Sequence, residues 1–204
     1  MRRLLMVGGA VGLCSLSFAD RIILAPNALK VRNQQARLEY DFELTRHRNA
    51  RAYLGIGVTK EIEAEFILDR METKPDLASL NLSYQFVPCI ADAAPGISFG
   101  VQDLMDRTIE RRMFYTAFTY RFGMDGQYNS NTPLELSLGF GVGRRNGVFV
   151  GAMIPFTWQF RLLADHNIQG VSAGLEYFPL HNASVRWIFR DGQSQLGIRW
   201  TTRW

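Results

Sequence analysis

Apolar and polar residues alternate with period 2 along most of this chain, and the charges keep to one of the two registers. The C-terminal stretch "QLGIRWTTRW" shows the pattern. Leu196, Ile198, Trp200, Thr202 and Trp204 fall on one side of an extended strand, and Gln195, Gly197, Arg199, Thr201 and Arg203 on the other, because successive side chains of a strand point to opposite faces. The same alternation recurs at Ala36 to Leu44, Leu54 to Val58, Ile62 to Leu68, Leu80 to Phe86, Ile97 to Val101 and Phe114 to Phe122. It continues at Leu134 to Val142, Val148 to Ile154, Trp158 to Ala164, Val171 to Tyr177 and Val185 to Phe189. With the C-terminal run these make about twelve strands, punctuated by Gly, Asn, Asp and Pro as turns require. No Pro/Ser linker or block of charge divides them, which predicts one domain over residues 35–204.

Where the charges fall decides between two architectures. Arg37, Glu39, Asp41, Glu43, Glu61, Glu63, Glu65, Asp69, Arg121, Glu135, Arg161, Glu176, Arg186, Arg190, Arg199 and Arg203 all occupy the polar register. The aromatic residues Tyr40, Phe42, Tyr84, Phe86, Tyr120, Phe122, Trp158, Phe160, Tyr177, Trp187, Trp200 and Trp204 occupy the other, many of them near strand ends. A soluble sandwich turns its apolar faces inward and blunts its edge strands. A membrane barrel turns them out to lipid, where an Arg or Lys at mid-bilayer costs about 2–4 kcal/mol, and carries aromatic girdles at its interfaces. The pattern predicts an all-β fold, a closed antiparallel up-and-down transmembrane β-barrel. A secreted soluble β-sandwich or barrel that binds a ligand is the alternative.

The N-terminus predicts the compartment. Residues 1–19 combine Arg2 and Arg3, an apolar run from Leu4 to Leu16 and the small-x-small site Ser17-Phe18-Ala19, as a secretory signal peptide does. Export with a barrel fold places the protein in the bacterial outer membrane. Without Arg2 and Arg3 there are 21 Lys+Arg against 19 Asp+Glu, a formal charge of +2, too small an excess to argue for nucleic acid. Cys89 is then the single cysteine, so no intramolecular disulfide or cysteine-based metal cluster is expected. Residues 20–34 lie outside the alternation and read as a tail, an extra strand or a partial plug.

Closing a barrel brings the first strand against the last. Glu39, Asp41 and Glu43 would then face Arg199 and Arg203 in an acid-base seam, or these would be ordinary charges lining the lumen. Glu61, Glu63 and Glu65 form an acidic row that suits a solvated wall better than a Ca²⁺ cage, since one strand lacks the loop geometry of such a site. Trp200 and Trp204 end an alternating terminal strand that resembles the assembly signal of outer-membrane proteins. The partners this implies are outer-membrane lipid and the barrel-assembly machinery.

Catalytic constellations are sparse. His47, His166 and His181 all fall in expected turns, and Asp165-His166 is the one candidate pair for an outer-membrane lipid hydrolase with a rim site. Adjacent residues in a turn point apart, so no catalytic, metal or cofactor-binding residue is expected. The glycines of "GFGVG" at 139–143 sit inside an alternating strand with no helix after them, which removes a phosphate-loop reading. The stretch "DLMDRTIERRM" at 103–113 is expected to form a short helical turn in a loop and is the best surface candidate for a partner contact.

The blocks "PGISFGVQDL" at 95–104, "FYTAFTYRFG" at 114–123, "LELSLGFGVG" at 134–143 and "LLADHNIQGVSAGLEY" at 162–177 resemble the YjbH-like family of outer-membrane β-barrel proteins, over roughly residues 77–204. The resemblance implies an outer-membrane barrel linked to exopolysaccharide production or export, with polysaccharide or export components as further partners. It supplies no active-site residues.

Overall fold

The structure, a computed structural model, describes residues 21–31, 33–44, 49–72, 74–123 and 133–204. The expected signal peptide and His47 lie outside these residues. The described chain is all β: β1 (Gln35–Glu43), β2 (Ala50–Gly57), β3 (Ile62–Met71), β4 (Lys74–Val87), β5 (Gly96–Gln102), β6 (Met113–Phe122), β7 (Leu134–Gly143), β8 (Gly147–Pro155), β9 (Phe160–His166), β10 (Val171–Leu180), β11 (Ala183–Arg190) and β12 (Gln193–Arg203). Each strand pairs antiparallel with its neighbour in sequence, and β1 closes on β12. The closing register sets Leu38 opposite Trp200, Glu39 opposite Arg199 and Gln35 opposite Arg203. Closure leaves no edge strand, so every backbone ladder is satisfied within the sheet.

The apolar register faces out all the way round. Every strand contributes to this wall: Leu38, Leu54, Phe66, Tyr84, Phe99, Phe118, Leu138, Val150, Phe160, Leu175, Trp187 and Ile198, taken from β1 to β12 in order, are all exposed. The charged residues of the strand interiors turn the other way, and Arg37, Glu39, Glu63, Glu65, Glu135, Arg161, Glu176, Arg186 and Arg199 are buried. Trp158 was expected in a strand but stands in the turn at 156–159. The Thr157 hydroxyl accepts the N–H groups of Gln159 and Phe160 there and ends the ladder.

The interior differs from a purely polar lumen. Eight strands enclose a space that side chains alone can fill, and twelve enclose a wider one. Residues 21–31 occupy it: Ile22, Ile23, Leu24, Ala25, Ala28, Leu29 and Val31 are all buried inside the barrel. They meet apolar residues that the alternation places on the inward register. Ile22, Ile23 and Leu24 pack with Met153, Leu163 and Ile188, while Ala25 packs with Met113, Tyr115, Ala117 and Phe149. Burying an Ile or Leu is worth roughly 1.5–3 kcal/mol per side chain, so these contacts favour the inserted segment. The inward glycines of β7 make room for the same residues. A Cβ on Gly139 would stand 2.2 Å from Phe149 Cζ, and one on Gly141 2.2 Å from Met113 Sδ.

Candidate functional site

The candidate site is the filled lumen and the mouth above it. A chain inside a barrel still needs partners for its backbone N–H and C=O groups, and the wall supplies them. Asp165 Oδ2, from β9, accepts the N–H groups of Ile23 (3.2 Å), Leu24 (2.6 Å) and Ala25 (2.8 Å). Three successive amides converging on one carboxylate oxygen form an anion-binding concavity. Thr119 Oγ1 accepts from Ala28 N at 2.7 Å, and Glu63 Oε2 from Val31 N at 2.8 Å. Ser98 Oγ donates to Asn27 O (3.1 Å), and Gln102 Nε2 to Leu24 O (3.4 Å). The segment is thus tied to β3, β5, β6 and β9 as well as packed against them.

Charge pins its first described residue. Arg21 reaches Glu39 Oε1 at 2.6 Å and Glu65 Oε1 at 3.2 Å, with its guanidinium 3.3 Å above the centroid of the Tyr53 ring. Around it runs a network of alternating sign. Arg37 bonds Glu65 and lies 3.5 Å from Glu63, Arg186 bonds Glu39 and Asp41, and Arg199 lies 3.0 Å from Glu39 and 3.3 Å from Glu176. Buried charges demand such pairing, since each lost partner leaves an ion out of water.

Of the expected seam the structure joins Glu39 to Arg199, while Asp41 is bonded by Arg186. Arg203 stands elsewhere: four residues beyond Arg199 it is opposite Gln35 and exposed at the rim. Asp41 and Glu43 face Gly197 and Gln195 across the closure. The second arginine at Glu39 and Asp41 is Arg186, one strand further round, and the third is Arg21 from the lumen. Sequence reasoning placed Arg186 on the inward register but did not join it to β1. Of the acidic row, Glu63 and Glu65 face inward while Glu61 lies in the preceding turn, exposed and bonded to Thr59 Oγ1 at 3.1 Å. Ile67 and then Asp69 continue the row. Trp200 and Trp204 are both exposed, and the N–H of Trp204 donates to Gln34 O at 3.1 Å.

The end of the barrel remote from Gln35 and Arg203 holds a cavity of about 230 Å³, floored by Ile23, Leu24 and Ile188. Its walls include Asp41, Glu43, Asn49, Arg51, Asp69 and Glu110. Glu110 belongs to the connection between β5 and β6, where the sequence suggested a helical turn. No helix forms there, because the Asp103 carboxylate takes the N–H groups of Arg107 (2.9 Å) and Thr108 (2.7 Å) and the Thr108 hydroxyl (2.8 Å), local bonds that compete with helical ones. The loop turns Glu110 into the mouth, where it accepts from Arg51 Nη1 at 2.6 Å and lies 3.6 Å from Arg145 Nη1. Burial opposes ionisation of Glu110, but Arg51, Arg145 and Arg190 outweigh it and hold the carboxyl at about 2.

The histidine pair separates. Asp165 points inward to the N-terminal segment, whereas His166 is exposed, its Nδ1 3.2 Å from Gly170 O. His181 lies beside the Trp158 ring, centroids 5.5 Å apart. Among the described residues no group of three or more His, Cys, Asp or Glu is placed to hold a metal ion. No protein-family model and no curated protein sequence matches the chain.

Proposed function

We propose that this chain is an integral β-barrel of the bacterial outer membrane, non-enzymatic, whose passage is closed by its own N-terminal segment. The observation that carries the reading is the apolar wall, unbroken over all twelve strands of a closed barrel. In water that wall would far exceed the largest apolar patches of soluble monomers, about 300–600 Å², which counts against the secreted binding protein. Lipid is the solvent that suits it, with the charged register kept inside.

The lumen points to a regulated conduit or an export accessory over an open pore. Residues 21–31 block the axis, and any traffic of small polar solutes requires them to move. The resemblance to the YjbH-like barrels suggests exopolysaccharide as the process served, with the barrel-assembly machinery reading Trp200 and Trp204 during insertion.

Two measurements test this. Isolated outer membranes should contain the protein as a band whose gel mobility changes on boiling, as folded barrels do. In planar bilayers the parent should be silent, and a variant lacking residues 21–31 should conduct. A soluble periplasmic protein with no mobility shift would end the membrane reading. Steady conductance by the parent would end the closed-lumen reading.

A further inference from the structure

The β5–β6 loop sorts its charges by sign. Its acidic residues Asp103 and Glu110 are buried, Asp103 against the loop's own Arg107 and Thr108 amides and Glu110 in the mouth, while Arg107 and Arg111 are exposed and Arg112 partly so. The neighbouring β7–β8 turn adds Arg144, whose side chain is 66% exposed. The two segments are joined: Arg144 N donates to Arg112 O at 2.9 Å. Asp106 alone among the loop's acids lies on this outer side, bonded to Arg112 N at 3.0 Å and to Arg144 Nε at 3.2 Å. One carboxylate stands against four arginines.

The loop also holds its shape. Asp103, Asp106 and Arg111 have φ of 49°, 55° and 62°, a left-handed backbone that non-glycine residues keep only where their surroundings impose it. Directly along the strands from these arginines the apolar wall begins. Phe114 is the first outward residue of β6, Val142 the last of β7, and the two stand opposite each other, both exposed. Leu104 and Met105 of the same loop are exposed as well.

We propose that Arg107, Arg111, Arg112 and Arg144 bind the phosphate of a membrane lipid headgroup whose acyl chains lie over Phe114 and Val142. The inference rests on the outer-membrane reading and deepens it by assigning a headgroup site to named residues. Guanidinium forks match phosphate oxygens two by two, and arginines at a membrane surface attract anionic headgroups. The apolar wall directly beside them favours a phosphate that carries acyl chains over a free one.

The full chain is refolded into phosphatidylcholine vesicles and titrated with lipid A bisphosphate, dephosphorylated lipid A and inorganic phosphate. The triple variant R107Q/R111Q/R144Q and a control, Lys60→Gln in the turn at the other rim, are measured beside it. The parent and the control should bind lipid A bisphosphate on the order of tenfold or more tighter than the triple variant, with the dephosphorylated form bound no better by one than the other. All three proteins should keep the same heat-dependent gel shift. Equal binding of the bisphosphate by parent and triple variant, or displacement of it by inorganic phosphate at equal concentration, overturns the lipid site and leaves the barrel intact. A parent that gives no heat-dependent shift in vesicles overturns the membrane reading itself.

Discussion

Arg21 and Glu39 face each other inside the barrel at 2.6 Å, Nη2 to Oε1, so the segment that fills the lumen is clasped by the strand that closes it. Glu39 is also the residue that Arg186 and Arg199 share. One carboxylate therefore joins β1 to β11, to β12 and to the lumen segment. Barrel closure and lumen closure meet at a single side chain.

Replacing Arg21 with Gln removes the cation between Glu39 and Glu65. Loss of one partner from a buried pair costs about 3–5 kcal/mol, and the segment can relieve that cost by leaving the lumen. The barrel itself keeps Arg186, Arg199 and Arg37 on those acids. The expected result is a folded, heat-modifiable barrel that opens to conductance and whose residues 21–31 become accessible to protease. A silent, protease-resistant variant would show that apolar packing and Asp165 suffice to hold the segment.

Arg199 and Arg203 share one strand, the first buried beside Glu39 and Glu176 and the second exposed at the rim, which makes charge reversal an informative comparison. Arg199→Glu sets a third carboxylate beside Glu39 and Glu176 in a buried place and should sharply lower the folding yield in lipid. Arg203→Glu, at the exposed rim opposite Gln35, should change the yield little. Equal loss for both would mean that the closing register is not the one described.

The two β7 glycines should respond differently to an added methyl. At Gly141 the nearest atoms that a Cβ meets all belong to the Met113 side chain, so Gly141→Ala should be rescued by Met113→Ala. At Gly139 it meets Phe149 and also the carbonyl oxygen of Thr116 at 2.4 Å, and a backbone atom cannot be trimmed. Gly139→Ala should therefore fold poorly in lipid and stay so with Phe149→Ala. Thermal unfolding of the four proteins reads the outcome.

Acid should loosen the mouth in a defined window. The Glu110 carboxyl is held at about 2, below its usual value of about 4.3, so the unfolded chain binds a proton first as pH falls. Its contribution is fully present above about pH 4.3 and is lost as pH drops through that range toward 2, amounting to roughly 3 kcal/mol. Hydrogen exchange of the loop amides around Glu110 should accelerate between those limits in the parent. In Glu110→Gln the step at Glu110 should vanish, and its persistence would place the acid sensitivity on another group.

Strand number, strand faces and the class of fold were legible because they are local. Period 2 assigns each side chain to a face without reference to any partner, and the charges marked which face is inside. Chain order with tight turns then makes neighbours pair, and closure sets β1 on β12, so Glu39 and Arg199 were foreseen within the same seam. Their exact opposition was not, since a register depends on turn lengths and bulges summed around the barrel. That sum put Gln35 where a carboxylate for Arg203 was expected.

The filling of the lumen was a tertiary decision. Residues 21–31 carry no period, and their partners Glu39, Glu63, Thr119 and Asp165 lie 18 to 142 residues away along the chain. Nothing local distinguishes an inward Met153 or Leu163 that will pack against this segment from one that faces water. Nor does the string of residues mark Asp165 as the acceptor for three amides. Only the width of a twelve-strand barrel, which leaves space that its own side chains do not fill, brings those groups and that segment to one place.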